Sequence, residues 1–134
     1  MTAREALDQA VRESRTQFKY IPDSPGIAGD VWETPRGVER QGGNDCDGLA
    51  VWTVARALQL HPEGEYRFVR GIVGGQGHAW VELLDKEGKR YWADPTWGLT
   101  SESPDWYSQR VPLKAYPWRG EIFGPPTDYV AVED

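Results

Sequence analysis

The sequence has little of several things. It contains one cysteine, Cys46, and two histidines, His61 and His78. One cysteine excludes an internal disulfide and a multi-cysteine zinc site. No run of lysine and arginine occurs, and the formal net charge is −6, which argues against a nucleic-acid surface. No apolar stretch approaches the ~20 residues that a membrane-spanning helix needs. The start, Met1-Thr2-Ala3-Arg4-Glu5, enters an amphipathic pattern without an apolar signal-peptide core. A cytoplasmic location is therefore expected, and a secreted form trimmed upstream is compatible with it. Internal repeats and low-complexity tracts are absent as well.

What is present suits one domain over residues 1–134. Hydrophobic residues make up 39% and aromatic residues 12%, enough to fill a compact core. Thr2 and Glu5 fit a capping box, and Leu7, Val11 and Phe18 recur at near-helical spacing. A first helix is expected from about Ala3 to about Phe18. Tyr20 to Asn44, with three prolines and five glycines, reads as a long irregular segment. Asn44 and Asp45 are N-cap residues for a second helix from Cys46 through Leu60, stopped by His61-Pro62. Strands are expected over Tyr66 to Val73, His78 to Leu84 and Arg90 to Asp94. Short ones are expected near Val111 and Tyr129. Asp85-Lys86-Glu87-Gly88 reads as a type I turn with glycine in a bulge.

Cys46 thus falls in the first turn of a helix. There the helix dipole favours a thiolate, as does a nearby imidazolium. Its own N–H is one of the unpaired donors that can hold an oxyanion. Asp45 and Asp47 oppose ionisation unless they point away or are paired, so a partner imidazole is needed. Strand alternation puts His78, Trp80 and Glu82 on one face, and Arg90, Trp92 and Asp94 share a face on the next strand. Any hairpin register whose paired numbers sum to an even total brings His78 and Asp94 to the same side. A total of 172 makes them directly opposite, and 174 makes them diagonal neighbours. Cβ separations are then about 4.5–5.5 Å or roughly 7–8 Å. An imidazole–carboxylate bond is reachable in both, and it would fix the tautomer so that the other ring nitrogen faces the thiol. Cys46, His78 and Asp94 are therefore the catalytic candidates. His61, at a helix end before proline, reads as a capping or surface residue. Trp80, Trp92 and Trp97 are candidates for cleft walls, with core filling as their simpler role.

Asn44-Asp45-Cys46-Asp47-Gly48-Leu49-Ala50, Gly77-His78-Ala79-Trp80-Val81-Glu82-Leu83 and Tyr91-Trp92-Ala93-Asp94-Pro95-Thr96-Trp97-Gly98 resemble the three blocks of the transglutaminase-like superfamily. The likeness is greatest to bacterial transglutaminase-like cysteine proteinases. It covers about Gln41 to Gly98, with the blocks in the family's order. It implies an α+β, papain-like architecture with the nucleophile starting a central helix packed on a small antiparallel sheet. By this resemblance Cys46 is the nucleophile, His78 the general base and acid, and Asp94 the orienting carboxylate. Gln41 is a candidate oxyanion donor, as a glutamine before the cysteine is in papain-like enzymes. The implied activity is cleavage of an amide, peptide or isopeptide bond through a thioester. Transfer to an amine, deamidation of protein glutamine and a non-catalytic binding module are the alternatives. The implied partner is a protein or peptide, a peptidoglycan peptide included, and no cofactor is expected. Some such proteinases bind calcium through acidic residues beside the cysteine, and Asp45 and Asp47 match in type. Two carboxylates fall short of the six to eight oxygens calcium takes, so no metal site is expected.

Overall fold

The computed structural model describes residues 1–22, 34–102, 110–119, 122–123 and 127–128. Helix α1 spans Ala3–Gln17 and opens with the expected capping box. Glu5 N–H donates to Thr2 Oγ1, and Thr2 N–H donates to Glu5 Oε1. Strand β1 (Lys19–Tyr20) follows. The stretch expected to be irregular holds helix α2 (Pro35–Gln41) and strand β2 (Gly43–Asn44). Proline and glycine density concealed α2 because Pro35 stands at its first turn, where a missing N–H costs nothing. Thr34 caps it through Gly37 N–H, and Gly42 closes it in the left-handed region.

Helix α3 (Cys46–Leu60) begins and ends where expected. Asp45 Oδ1 accepts from Gly48 N–H at 3.0 Å, and His61 supplies the C-cap. Two glycines around this helix start have steric reasons. A Cβ on Gly43 would lie 2.0 Å from the carbonyl oxygen of Lys19, because β1 and β2 pair in parallel there. A Cβ on Gly48 would lie 2.4 Å from Cβ of Asn44, whose side chain folds over the first turn. The segment leading into Cys46 is thus held by backbone pairing on one side and close packing on the other.

The remaining described strands are β3 (Glu65–Val73), β4 (Gln76–Leu84), β5 (Arg90–Asp94), β6 (Leu99–Ser101), β7 (Arg110–Arg119), β8 (Ile122–Phe123) and β9 (Thr127–Asp128). They form a seven-stranded sheet in the order β6-β5-β4-β3-β7-β8, with β9 also paired to β7. Every pairing in it is antiparallel. Strand β7 is longer than expected, since Pro112 and Pro117 argue against a central strand. A register shift between Arg70 and Gly71, opposite Pro112, accommodates the interruption. The expected strand at Tyr129 lies outside the described residues.

Alternation on β4 follows the sequence pattern. Ala79, Val81 and Leu83 pack with Phe68 of β3 and Ala93 of β5 against Leu7 and Val11 of α1 and Ala50 and Val54 of α3. The opposite face carries Val69, Trp80 and Trp92. Glu82, fully buried on that face, is held by Arg67 of β3 and by Arg90 of β5 at 3.4 Å. Helix α2 packs on α3 through Val38, Leu49 and Trp52, and Trp52 Nε1 donates to Glu39. Among the described residues, no helix is long and apolar enough to cross a membrane.

Candidate active site

The β4–β5 hairpin decides whether two of the candidates meet. Asp85 organises its turn by accepting from Glu87 N–H and Lys89 N–H, and Gly88 adopts φ 79°. This is the expected turn with a glycine bulge, and it selects one register. Glu82 pairs with Trp92 and Val81 with Ala93, a total of 174. His78 and Asp94 are therefore diagonal neighbours on one face. His78 Nε2 and Asp94 Oδ2 lie 2.7 Å apart. The Asp94 side chain is fully buried, and that of His78 is 10% exposed. Asp94 also starts a turn, its carbonyl accepting from Trp97 N–H. Asp94 thus serves the turn through its backbone and meets His78 through its side chain. Arg15 of α1 steadies that turn by donating to Thr96 O at 3.0 Å.

Cys46 reaches the same strand from the helix side. Ala79, next to His78, lies beyond the last β4–β5 pair, Val81↔Ala93, and its N–H meets the Cys46 sulfur. With Nε2 of His78 engaged by Asp94, Nδ1 is the ring nitrogen left for a thiol.

The thiol itself differs from expectation. Its pKa is pushed up to about 12, first by burial and then by the charge of Asp47, with smaller contributions from Asp45 and Asp94. The helix start does not offset this, because Cys46 packs against the main core cluster where a thiolate loses its hydration. Asp45 caps Gly48 and Asp47 pairs with Arg70 of β3 at 3.6 Å, yet both still act on the sulfur. Burial and these carboxylates favour the thiol over the thiolate. The sign of a charge change follows. Asp47→Asn removes a negative charge that disfavours the thiolate, so alkylation of Cys46 by iodoacetamide at pH 8 should accelerate. Each unit by which the thiol pKa falls gives about tenfold more thiolate there. Mass-spectrometric alkylation rates check this, and an unchanged or slower rate would remove Asp47 from the electrostatic account.

Other candidates fall differently. Trp80 and Trp92 do not line an open cleft. They are 0% and 4% exposed and form the apolar cluster behind the site with Val69. Large flat side chains on the second sheet face bury each other where a one-sided pattern suggests an exposed wall. Among the described residues the exposed tryptophan is Trp97, which stacks on His78 with ring centroids 4.8 Å apart. Gln41 ends α2, and its Oε1 accepts from Asn44 Nδ2 at 2.7 Å. Arg110 escaped the sequence reading. Its Nη2 lies 3.3 Å from Asp94 Oδ2, with the side chain 5% exposed. A lone arginine beside a proline-broken strand carries no local signal, since only the pairing of β7 with β3 brings it across the sheet. A groove of about 900 Å³ lies at the other end of β4, lined in part by Thr2, His61 and Leu84, and none of the candidate residues lines it. Among the described residues, no group of three or more His, Cys, Asp or Glu side chains converges as metal ligands.

Helices α1 and α3 pack on one face of the antiparallel sheet, Cys46 opens α3, and His78 and Asp94 lie on adjacent strands. LapG of Legionella pneumophila has this fold. The calcium-bound LapG structure superposes with a TM-score of 0.70 at 16% identity, over 91% of this chain and 71% of that one. A second LapG structure gives 0.69 at 17% identity, over 84% and 62%. The EGTA-treated form gives 0.70 at 16% identity, over 91% and 71%. No protein-family model and no curated protein sequence matches the chain.

Proposed function

We propose that this protein is a cysteine hydrolase that cleaves an amide or peptide bond through a thioester, with Cys46, His78 and Asp94 as its triad. The carrying observation is the 2.7 Å contact between His78 Nε2 and the buried Asp94 carboxylate, beside a helix-opening cysteine. In the first step the Cys46 sulfur attacks the scissile carbonyl carbon while its proton passes to His78 Nδ1. The carbonyl oxygen gains the negative charge and is met by the Cys46 backbone N–H. Gln41 is the candidate for a second donor. The intermediate collapses, the C–N bond breaks, and His78 returns the proton to the leaving amine. Water then attacks the thioester, giving its proton to His78, and the thiol is restored as the acid departs. Asp94 holds the tautomer and stabilises the imidazolium that forms twice per cycle.

The fold shared with LapG, a transglutaminase-like cysteine protease, supports a protein or peptide substrate. One LapG structure is calcium-bound. In this chain Asp45 caps α3 and Asp47 pairs with Arg70. The proposed mechanism passes no step through a metal ion. Incubation with a peptidyl vinyl sulfone, followed by mass spectrometry, tests the reading. The expected result is one adduct on Cys46 of the folded protein that forms much more slowly after denaturation. Equal labelling of folded and denatured protein would defeat it.

A further inference from the structure

Asp94 is buried with its charge, and that charge needs a counter-charge. His78 provides one only while it is protonated. In the hydrolysis proposed above the imidazole gains and loses a proton twice, so for part of the cycle it is neutral. A buried carboxylate beside a neutral imidazole would pull the proton back, because an unpaired buried charge is costly. The third group at this point is Arg110 of β7, with Nη2 3.3 Å from the same Asp94 Oδ2 that His78 engages. Its guanidinium stays charged at any working pH. Its plane is further placed by aromatic rings, lying 5.6 Å from the Trp97 centroid and 6.0 Å from that of Trp80.

We propose that Arg110 is a positioning residue for the reaction: a permanent counter-charge that fixes the Asp94 carboxylate and lets His78 release its proton to substrate. This rests on His78 acting as the base. Among the described residues, Asp94 from β5 touches His78, Arg110 from β7 touches Asp94, and Cys46 from α3 meets the N–H of Ala79 beside His78. Asp45 and Asp47 stand behind the cysteine, and Arg70 of β3 sits on Asp47. Among the described residues, Arg110 is the arginine that touches Asp94 directly. Removing a buried positive charge makes every proton in this network harder to lose. A charge within about 4–6 Å moves a proton equilibrium by about one to three units. Arg110 acts on His78 across a carboxylate, so roughly one unit is expected.

The experiment has two readouts. The first is the pH profile of inactivation by the vinyl sulfone, for wild type, Arg110→Gln and Arg110→Lys. Arg110→Gln should displace the whole profile to higher pH by roughly one unit. Arg110→Lys, which keeps the charge, should bring it back even if the maximal rate is lower. Loss of packing alone would lower the rate without moving the profile. The second readout is NMR of the His78 ring protons against pH in Cys46→Ala protein, with and without Arg110→Gln. His61, at the far end of α3, is the internal control. The His78 titration should move to higher pH and that of His61 should stay. This readout needs no catalysis, so a failed hydrolase reading and a failed role for Arg110 are separable. If Arg110→Gln does not fold, Asp94→Asn is compared with Asp94→Asn/Arg110→Gln, where the same upward move is expected. Superposed profiles in either comparison, or Arg110→Lys displaced as far as Arg110→Gln, overturn the proposal.

Discussion

Cys46→Ala protein is expected to fold normally and to form no vinyl sulfone adduct and no hydrolysis product above background. The side chain removed is small and only partly buried, so circular dichroism and the thermal midpoint should change little. The chemical loss should be complete, because the thioester has no other thiol to form on. Removing a nucleophile that acts as one unit with its base leaves only the acceleration due to binding and oxyanion stabilisation. Cys46→Ser sharpens the comparison. A serine keeps the shape and the donor, yet its alkoxide is far harder to generate in a site that already holds the thiol pKa at about 12. It should be as inactive as alanine. Turnover retained by either variant would remove Cys46 from the mechanism and leave a binding module on this fold.

His78→Ala should cost more than Asp94→Asn. Burial favours the thiol form of Cys46, so in the proposed mechanism loss of the imidazole removes the acceptor for its proton and the donor to the leaving amine together. Inactivation by the vinyl sulfone should then fall nearly to the Cys46→Ala level. Asp94→Asn keeps a hydrogen-bonding group at 2.7 Å from the ring, but an amide tolerates the wrong tautomer and does not stabilise the imidazolium. The equivalent change in a serine triad costs about 10⁴ in kcat. A smaller loss of roughly tenfold to a thousandfold is expected here, scaled down from that case. Asp94→Asn also takes a negative charge from beside buried Arg110, so rates must be compared per folded molecule, with urea unfolding measured alongside. Equal losses in the two variants, at equal folded fractions, would make Asp94 a residue that maintains the site and would end its orienting role.

The three blocks around Cys46, His78 and Asp94 were legible because their information is local. A cap followed by apolar spacing marks a helix start, and alternation marks a strand face. A turn with its glycine at a set position restricts a hairpin to a few registers. The choice between totals of 172 and 174 depended on that turn, and the glycine bulge selected 174. Helix α2 was hidden because proline and glycine read as breakers where they were serving as first-turn residue and C-cap. Trp80 and Trp92 show the limit of a face pattern. Alternation told that they share a side with His78 and Asp94, but not whether that side is covered.

By itself, the sequence determined an α+β chain, the start of α3 at Cys46, and a hairpin able to bring an imidazole to a carboxylate. These depend on backbone preferences and on neighbours a few residues away. The tertiary structure decided the rest. Packing of α3 against the sheet drew the sulfur partly out of water and raised its pKa, against what the helix dipole alone would do. Pairing of β7 with β3 carried Arg110 to Asp94, from a position sixteen residues further along the chain. Burial and long-range charge depend on which elements cover which, and no local pattern in a chain encodes that.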